Sequence, residues 1–426
     1  MKIGIIGAGL TGLSATYALS KLGHKVVLFE KGSALGGLAT GYREKDWKWS
    51  TEEHYHHFFT NDATIVNLAK EINHKIIIKR PKTSTLINGR ISQLDSPLSL
   101  LKFPLLTFSE RLRMGIALAF LRYNPFWKPL DRYKAWEILP KLMGKKGFQM
   151  IWAPLFLAKF SDYAKDVSLA WFWARIRKRT TSLAYPEGGF LSFAQNLKMA
   201  SQKHGAQINL NSEVVEINNI LTQLKIRTGN KIRQEKFDKI IITIPTLEFL
   251  KIAKSLPNEY KDGLADIKSL GATNLLLRLK EPFLTDGTYW LNVCDTKSPL
   301  MAVVEHTNFM DKKYYNDEHI IYIGHYVPRT HRYFLMNKED LLKEFDPYLK
   351  KLNKEYKTNL IDYKLFKTPF AQPVMPANYG GRIPPFKTPF KNVFLANIDR
   401  VYPWDRGTNY AVELGEKVAD YILDEN

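Results

Sequence analysis

The chain has 426 residues, of which 45% are hydrophobic and 13% aromatic, so it is not a disordered chain, and two or three domains around a large buried core are expected. A single cysteine, Cys294, excludes a disulfide framework and a cysteine-based metal centre within one chain, and it fits a reducing, cytoplasmic location. The net charge of +20 is open to three specific readings, an anionic membrane surface, an anionic substrate or nucleic acid, and to the plain one of a lysine-rich composition; with no nucleic-acid-binding module in the chain, nucleic acid is not an expected partner.

The first 31 residues are the most informative. An apolar strand over 3–6 runs into Gly7-Ala8-Gly9-Leu10-Thr11-Gly12, a helix-like segment follows to about Leu22, and a second apolar strand over 26–29 ends in Glu30. This is the order of a dinucleotide-binding βαβ unit. Gly7 permits the tight turn, Gly9 lets backbone approach a pyrophosphate, and Gly12 lets the helix pack close to the sheet, while the helix start at Leu10 and Thr11 attracts the phosphates. Glu30 lies near the spacing expected of the carboxylate that binds ribose hydroxyls. It repels a 2′-phosphate, which argues against NADP and leaves FAD and NAD. A strand beginning at residue 3 leaves no room for a leader peptide.

Residues 61–72 are expected to form a helix capped by Asn61 or Asp62. Residues 76–94 alternate around Asn88-Gly89, which predicts a hairpin pairing 83–87 with 90–94. From 97 to 182 the chain turns helical, rich in Leu, Phe and Trp and studded with Lys and Arg, with Ser109 placed as the cap of one helix and 166–178 as another. The basic amphipathic stretch 98–128 either lies on a membrane surface or turns its apolar face to a lobe that lines a substrate cavity; the pattern leaves both open. No run approaches the ~20 apolar residues of a bilayer span. A turn at 185–189 precedes another helix. Strands follow at 207–210 and 214–218, then a hairpin to Phe237 and a buried parallel strand over 238–244, stopped by Pro245. The alternating patterns of 271–345 predict a second, mostly antiparallel sheet. A strand at 393–396, a proline-containing loop and a helix over 408–423 return to α/β and are expected to complete the site begun at residue 3.

These segments resemble, over nearly the whole chain, the FAD-dependent superfamily of flavin amine oxidases, protoporphyrinogen oxidases and phytoene desaturases. GAGLTGLSA with Glu30 matches its first motif, and LGGLAT (35–40), containing Gly36, Gly37 and Leu38, its second glycine pair. VVEI (214–217), starting at Val214, and DKIIITIP (238–245) match its middle strands. NVFLAN (392–397), ending in Asn397, and YPWDRGTNYAVELG (402–415) match its closing motif. FWARI (172–176), YPEGGF (185–190), VEHTNF (304–309) and AQPV (371–374) make the chain most similar to bacterial protoporphyrinogen-oxidase-like NAD(P)/FAD-dependent proteins. The resemblance implies an α/β fold. A Rossmann-like FAD-binding domain, a parallel sheet with a β-meander, takes 1–80, 186–245 and 385–426. An inserted substrate domain with a mixed or antiparallel sheet takes 81–96 and 246–384, and a helical lobe takes 97–185. It also implies noncovalent FAD, with the closing helix and its neighbours Arg406, Thr408, Asn409 and Tyr410 at the flavin ring, where the helix dipole stabilises the anionic reduced form. Three departures stand out. Leu38 replaces the usual arginine, which leaves Lys31 or Arg43 to meet a phosphate. Ala396-Asn397 replaces Gly-Asp, so Asn397 offers hydrogen bonds without charge. No lysine occurs in 271–277, against an amine oxidase proper, and Cys294 is too far from the closing motif for a covalent flavin link.

Candidate chemistry follows the second glycine motif. His54, His56 and His57 are not expected to share a metal, because neighbours on an extended segment point to opposite faces. His56 and His57 are candidates for a proton carrier beside the flavin. The same segment, HYHHFFTND, also resembles the HIFHT-type segment of UDP-galactopyranose mutase, whose reduced flavin acts without net redox, and this is the alternative reading. Glu305 and His306 are a candidate acid/base couple on a strand flooring the cavity; Gln372 and Arg175 are further candidates, and Trp171 and Trp173 are read as packing the lobe. The expectation is an FAD-dependent oxidoreductase of oxidase, dehydrogenase or desaturase type. It would move a hydride to flavin N5 from a hydrophobic substrate (polyprenyl, porphyrin or lipid-linked) in an apolar-walled cavity, with peripheral contact to the inner face of the membrane through the basic lobe. A flavin-binding protein without enzymatic activity is the third possibility.

Overall fold

A computed structural model describes residues 1–425. Its central sheet has five parallel strands in the order Gln207–Asn209, Lys25–Phe29, Lys2–Ile6, Lys239–Ile242 and Val393–Leu395. Apart from the edge strand Gln207–Asn209 and the lysines that open three others, these runs are apolar because helices or strands cover both faces. Ile3, Ile5, Val26, Leu28 and Ile241 face the helices Leu10–Lys21 and Thr408–Asp424. Ile6, Val27, Phe29, Ile240 and Ile242 face the antiparallel meander Glu213–Asn218, Gln223–Thr228 and Lys231–Lys236, as the two-residue period of a strand requires. The first and last helices meet through Gly415, where a Cβ would come within 2.4 Å of the Thr11 carbonyl oxygen. Ser14 Oγ also donates to the Val412 carbonyl at 3.0 Å. The C-terminal segment is thereby locked onto the N-terminal turn.

The second sheet has seven strands, in the order Leu360–Pro373, Ser269–Leu279, His319–Val327, Ala302–Glu305, Thr288–Val293, Lys82–Ile87 and Arg90–Gln93. All pairs are antiparallel except Thr288–Val293 with Lys82–Ile87. Asn88 and Gly89 carry φ of 51° and 75°, the left-handed pair that a two-residue hairpin demands. The stretch read from sequence as strands and turns is broken by a helix, Lys338–Leu352, capped by Asn337, whose side chain accepts from Asp340 N at 2.8 Å. Its Leu341, Phe345 and Leu349 pack on Leu275, Leu277, Ile321 and Ile323 of the sheet.

The lobe is built from Pro97–Leu101, Phe108–Tyr123, Ala135–Met143, Ala153–Phe160 and Leu169–Lys178, with shorter turns between. Thr107, not Ser109, caps the long helix: its hydroxyl accepts from Glu110 N, while the Glu110 carboxylate accepts from Thr107 N at 2.8 Å, a reciprocal box that Ser109 lies too far inside to form. This helix has two apolar faces. Met114, Ala117 and Leu121 are buried in the core, whereas Phe108, Leu112, Ile116, Phe120 and Tyr123 are 48% to 77% exposed. Both alternatives left open by the sequence therefore have an apolar face. Among the described residues no helix is long and apolar enough to cross a membrane.

Candidate functional site

The glycine turn opens a cavity of about 410 Å³. Gly7 has φ +104°, a conformation L side chains rarely adopt, and its N–H donates to the Phe29 carbonyl at 2.8 Å. A Cβ on Gly12 would lie 2.0 Å from the Gly7 carbonyl oxygen, so the helix begins hard against the turn. No side chain caps that helix at Gly9, which leaves the amides of its first turn, at Leu10 and Thr11, for the cavity they line. A Cβ on Gly9 would touch only Gly37 Cα, at 3.9 Å: this face of the turn is clear for a ligand. The second glycine pair seals the turn, with Gly36 N donating to the Ala8 carbonyl at 2.9 Å and Gly37 at φ +58°. Glu30 lines the cavity while accepting from Ala8 N and Gly32 N, both at 2.8 Å.

Lys31, Leu38, Val214 and Asn397 line the same cavity; Arg43 is not among its lining residues. The Asn397 side chain is already engaged. Its Nδ2 donates to Thr246 Oγ1 at 2.8 Å and to the Ile244 carbonyl at 3.3 Å, and its Oδ1 accepts from Asp399 N at 3.2 Å. It holds the closing loop rather than reaching outward. At the far end stand Arg406, Gly407 and Thr408, and the buried Thr408 Oγ1 has no hydrogen-bond partner among the described residues. Asn409 lines neither cavity: its Oδ1 accepts from Ile65 N at 3.1 Å and ties down the helix Ala63–Glu71.

A second cavity of about 210 Å³ shares His56, Arg406, Gly407 and Thr408 with the first. Tyr289, Trp290, Tyr326 and Tyr410 give it aromatic walls, with Tyr410 stacked on Trp404 at a 4° interplanar angle. The rest is charged. Asp405 accepts from Lys159 Nζ at 2.9 Å, Arg175 at 2.7 Å and Trp171 Nε1 at 3.0 Å. Burial pushes its carboxyl upward, but the cations around it win and hold it well below the usual carboxylate range. Burial draws the Lys159 ammonium down to about 7 against the pull of Asp405. The wall is thus not the apolar one expected, because Lys159, Arg175, Lys178 and Arg179 turn inward from the lobe. Their counterpart Asp405 lies in the closing loop, so no local pattern marks the cluster.

The candidate catalytic residues separate. His56 lies on the shared wall and His57 in the second cavity. His54 Nε2 meets Thr368 Oγ1 at 2.9 Å, His56 Nδ1 the His54 carbonyl at 2.5 Å, and His57 Nδ1 the Tyr289 hydroxyl at 3.1 Å, so the three rings do not converge. Burial lowers them to about 3, 4 and 3 in that order, which keeps all three neutral at neutral pH. Gln372 is fully buried. Its Oε1 accepts from Arg406 Nε at 2.9 Å and its Nε2 donates to the Pro373 carbonyl at 3.0 Å, so it positions Arg406, which also donates to the Tyr326 hydroxyl. Glu305 and His306 do not form a couple at the site. Glu305 turns back to accept from Phe283 N at 3.2 Å, Leu284 N at 2.5 Å and His319 Nδ1 at 3.1 Å. His306 Nε2 meets the Tyr315 hydroxyl at 2.7 Å, and neither residue lines either of these two cavities. The strand Ala302–Glu305 ends between them, and the two side chains leave in different directions.

A parallel sheet, a glycine turn that leaves helix amides over a cavity, and a closing helix at its far end define a dinucleotide-binding fold with a second chamber. Residues 10–423 match the flavin containing amine oxidoreductase family, and the chain belongs to it. The cofactor of this family of oxidoreductases is FAD, and the clear face of Gly9, the uncapped helix start and the unpartnered Thr408 Oγ1 fit such a ligand. The 15-cis-phytoene desaturase of Synechococcus elongatus is 28% identical over 158 residues, 33% of each chain, so the matched stretch spans about a third of that curated relative's length. Two solved structures share the fold. A provisionally assigned protoporphyrinogen oxidase from Exiguobacterium sp. 255-15 aligns over 100% of this chain and 99% of its own, with TM-score 0.76 and 15% identity. Reduced UDP-galactopyranose mutase aligns over 100% of this chain and 96% of its own, with TM-score 0.76 and 15% identity.

Proposed function

We propose that the protein is an oxidase, dehydrogenase or desaturase that removes a hydride from a C–H or C–N bond of a substrate held in the second cavity. The observation that carries this reading is the shared wall: His56, Arg406, Gly407 and Thr408 face both chambers, so a substrate in one meets the end of a cofactor in the other. FAD, when bound, supplies the two-electron acceptor. The Gly7–Gly12 turn and Glu30 hold its adenosine end, and Arg406, steadied by Gln372 and Tyr326, and Thr408 hold the other. Tyr289, Trp290 and Tyr326 exclude water from the reacting face. Neutral His57, tied through Nδ1 to Tyr289 in the second chamber, and His56 on the shared wall are the candidate proton acceptors.

The substrate has an apolar body, taken from a membrane surface. Support comes from the exposed face of helix Phe108–Tyr123, five large apolar side chains in one stripe, with exposed Lys102, Lys128, Arg132, Lys145 and Lys146 elsewhere in the lobe. This combination suits anionic lipid. Arg122 of that helix donates to the carbonyls of Ile176 and Arg179 at 3.3 and 2.8 Å, which joins the stripe to the wall of the second cavity. The test is an anaerobic screen of the oxidised holoprotein against prenyl, porphyrin and lipid-linked substrates, with flavin bleaching as the readout. A second reading, rearrangement of a nucleotide sugar without net redox, is favoured by the inward arginines. Turnover that requires prior reduction of the flavin, with no bleaching by any substrate, would establish that reading instead.

A further inference from the structure

We propose that Arg179, supported by Arg175 and Lys178, forms an anion-binding subsite in the second cavity, one that takes a carboxylate or phosphate group carried by the substrate. The inference rests on the reading above only in placing a substrate in that chamber. Cationic side chains outnumber carboxylates on its wall, and the hydrogen bonds show which of them are already engaged. Asp405 is fully occupied by Lys159, Arg175 and Trp171. Arg406 is bound to Gln372 and Tyr326. Asp95 accepts from Thr83 N, Gln93 Nε2 and Ser99 Oγ, and Asp62 accepts from Phe59 N. Lys178 lies 5.2 Å over the Trp404 ring without an ion pair among the described residues.

Arg179 is different. Its guanidinium makes no hydrogen bond or ion pair among the described residues, yet its backbone is held at the end of helix Leu169–Lys178 by the Arg122 guanidinium at 2.8 Å. Burial and the neighbouring Arg175 push it down to about 10 against the pull of Asp95, so it stays charged at neutral pH. Asp95 acts on it from across the chamber without forming an ion pair, and a part-buried guanidinium that lacks a close counter-ion is costly. Its planar fork matches the two oxygens of a carboxylate or phosphate. The adjacent His57 is neutral, and its Nδ1 is engaged with Tyr289, so it brings no charge of its own. The substrate class that fits is an amphiphile: an apolar body against the aromatic wall and an oxyanion on Arg179.

The test uses flavin-loaded protein and two probes, sodium pyrophosphate and sodium octanoate, titrated by isothermal calorimetry at low and moderate salt. Saturable binding of either probe supports the subsite, and the tighter one identifies the source of the oxyanion as phosphate or carboxylate. Arg179→Gln is expected to weaken that probe at least about tenfold, the scale of a lost charge-assisted contact, with flavin content unchanged and the thermal midpoint no lower than the parent's. Arg179→Lys, which keeps the charge and loses the fork, is expected to fall between. A holoprotein that binds neither probe, or an Arg179→Lys or Arg179→Gln variant that binds as tightly as the parent, overturns the proposal. Since the readout is binding, a failed bleaching screen sinks the redox reading alone, and a failed titration with full flavin content sinks the subsite alone.

Discussion

The two chambers share a wall but are made from different materials. The first is built of backbone: glycines, helix amides and a carboxylate that caps turns, most of them within the first 40 residues. The second is built of side chains that meet only in three dimensions, as when Lys159 reaches Asp405 across 246 residues of chain. A backbone-built site tolerates no added atoms but needs little charge balance. A side-chain-built site tolerates changes of shape but is sensitive to the loss of either partner of a buried ion pair.

The sharpest way to break this comparison is at the glycines. Gly12→Val should abolish flavin binding and soluble folding together, because the new Cβ would sit 2.0 Å from the Gly7 carbonyl oxygen. Gly9→Val should lose flavin yet keep the fold, since that face meets nothing closer than 3.9 Å. The ratio of flavin to protein absorbance, read beside thermal melting of the purified variants, separates the two outcomes. A Gly9→Val protein that holds flavin as tightly as the parent would remove the turn from the site.

In the second chamber Asp405→Asn should be the most damaging single change. It leaves Lys159 and Arg175 facing each other without their common carboxylate, and truncating one partner of a buried pair costs roughly 3–5 kcal/mol. Urea unfolding would measure it; a parental midpoint would show that the ion cluster carries no net stability.

Two buried carboxylates should give opposite pH signatures. Asp405 is held below its ordinary range by cations, so its stabilisation is present at neutral pH and fades as pH falls through the acid range. Glu52 has no ion-pair partner among the described residues. It is fully buried against the Tyr185 hydroxyl and Phe190 N, and burial raises it from 4.5 to about 7. The folded state therefore holds a proton that the unfolded chain has lost, and stability falls as pH rises from 4.5 to about 7, by about 3 kcal/mol in all. Glu52→Gln should flatten that slope in denaturation curves taken across the range.

The smallest stability effect belongs to the lobe surface. Ile116→Glu with Phe120→Glu alters only exposed positions, so unfolding should shift by about 0.5 kcal/mol or less. Sedimentation with phosphatidylglycerol vesicles should nevertheless fall to the level seen with neutral ones. Undiminished vesicle binding by the double variant would mean that this stripe is not the membrane face.

Most of the first chamber was legible in the chain. Gly7, Gly12, Gly36 and Gly37 stand where local backbone geometry admits no side chain, Gly9 leaves a clear face on the turn, and the Glu30 carboxylate holds the turn through Ala8 N and Gly32 N. The hairpin at Asn88-Gly89 was legible for the same reason. Elsewhere local pattern misled. Glu305-His306 looked like a couple because the residues are adjacent, but adjacency at a strand end separates side chains. The helix Lys338–Leu352 hid among strands, although its apolar positions 341, 345 and 349 have helical spacing. Asn409, expected at the cofactor, lines neither chamber and holds Ile65 N instead, whereas Asn397 lines the first chamber with its side chain engaged in the closing loop.

By itself, then, the sequence determined the dinucleotide turn, the strands that carry it and the family, since these depend on short-range backbone requirements written in glycines and apolar runs. Only the tertiary structure decided that the lobe turns Lys159, Arg175 and Arg179 inward to a chamber adjoining the glycine-turn cavity and leaves its apolar stripe outside. A charge or an apolar face acquires its meaning from what lies opposite it, and that is settled by long-range packing, which the linear pattern does not contain.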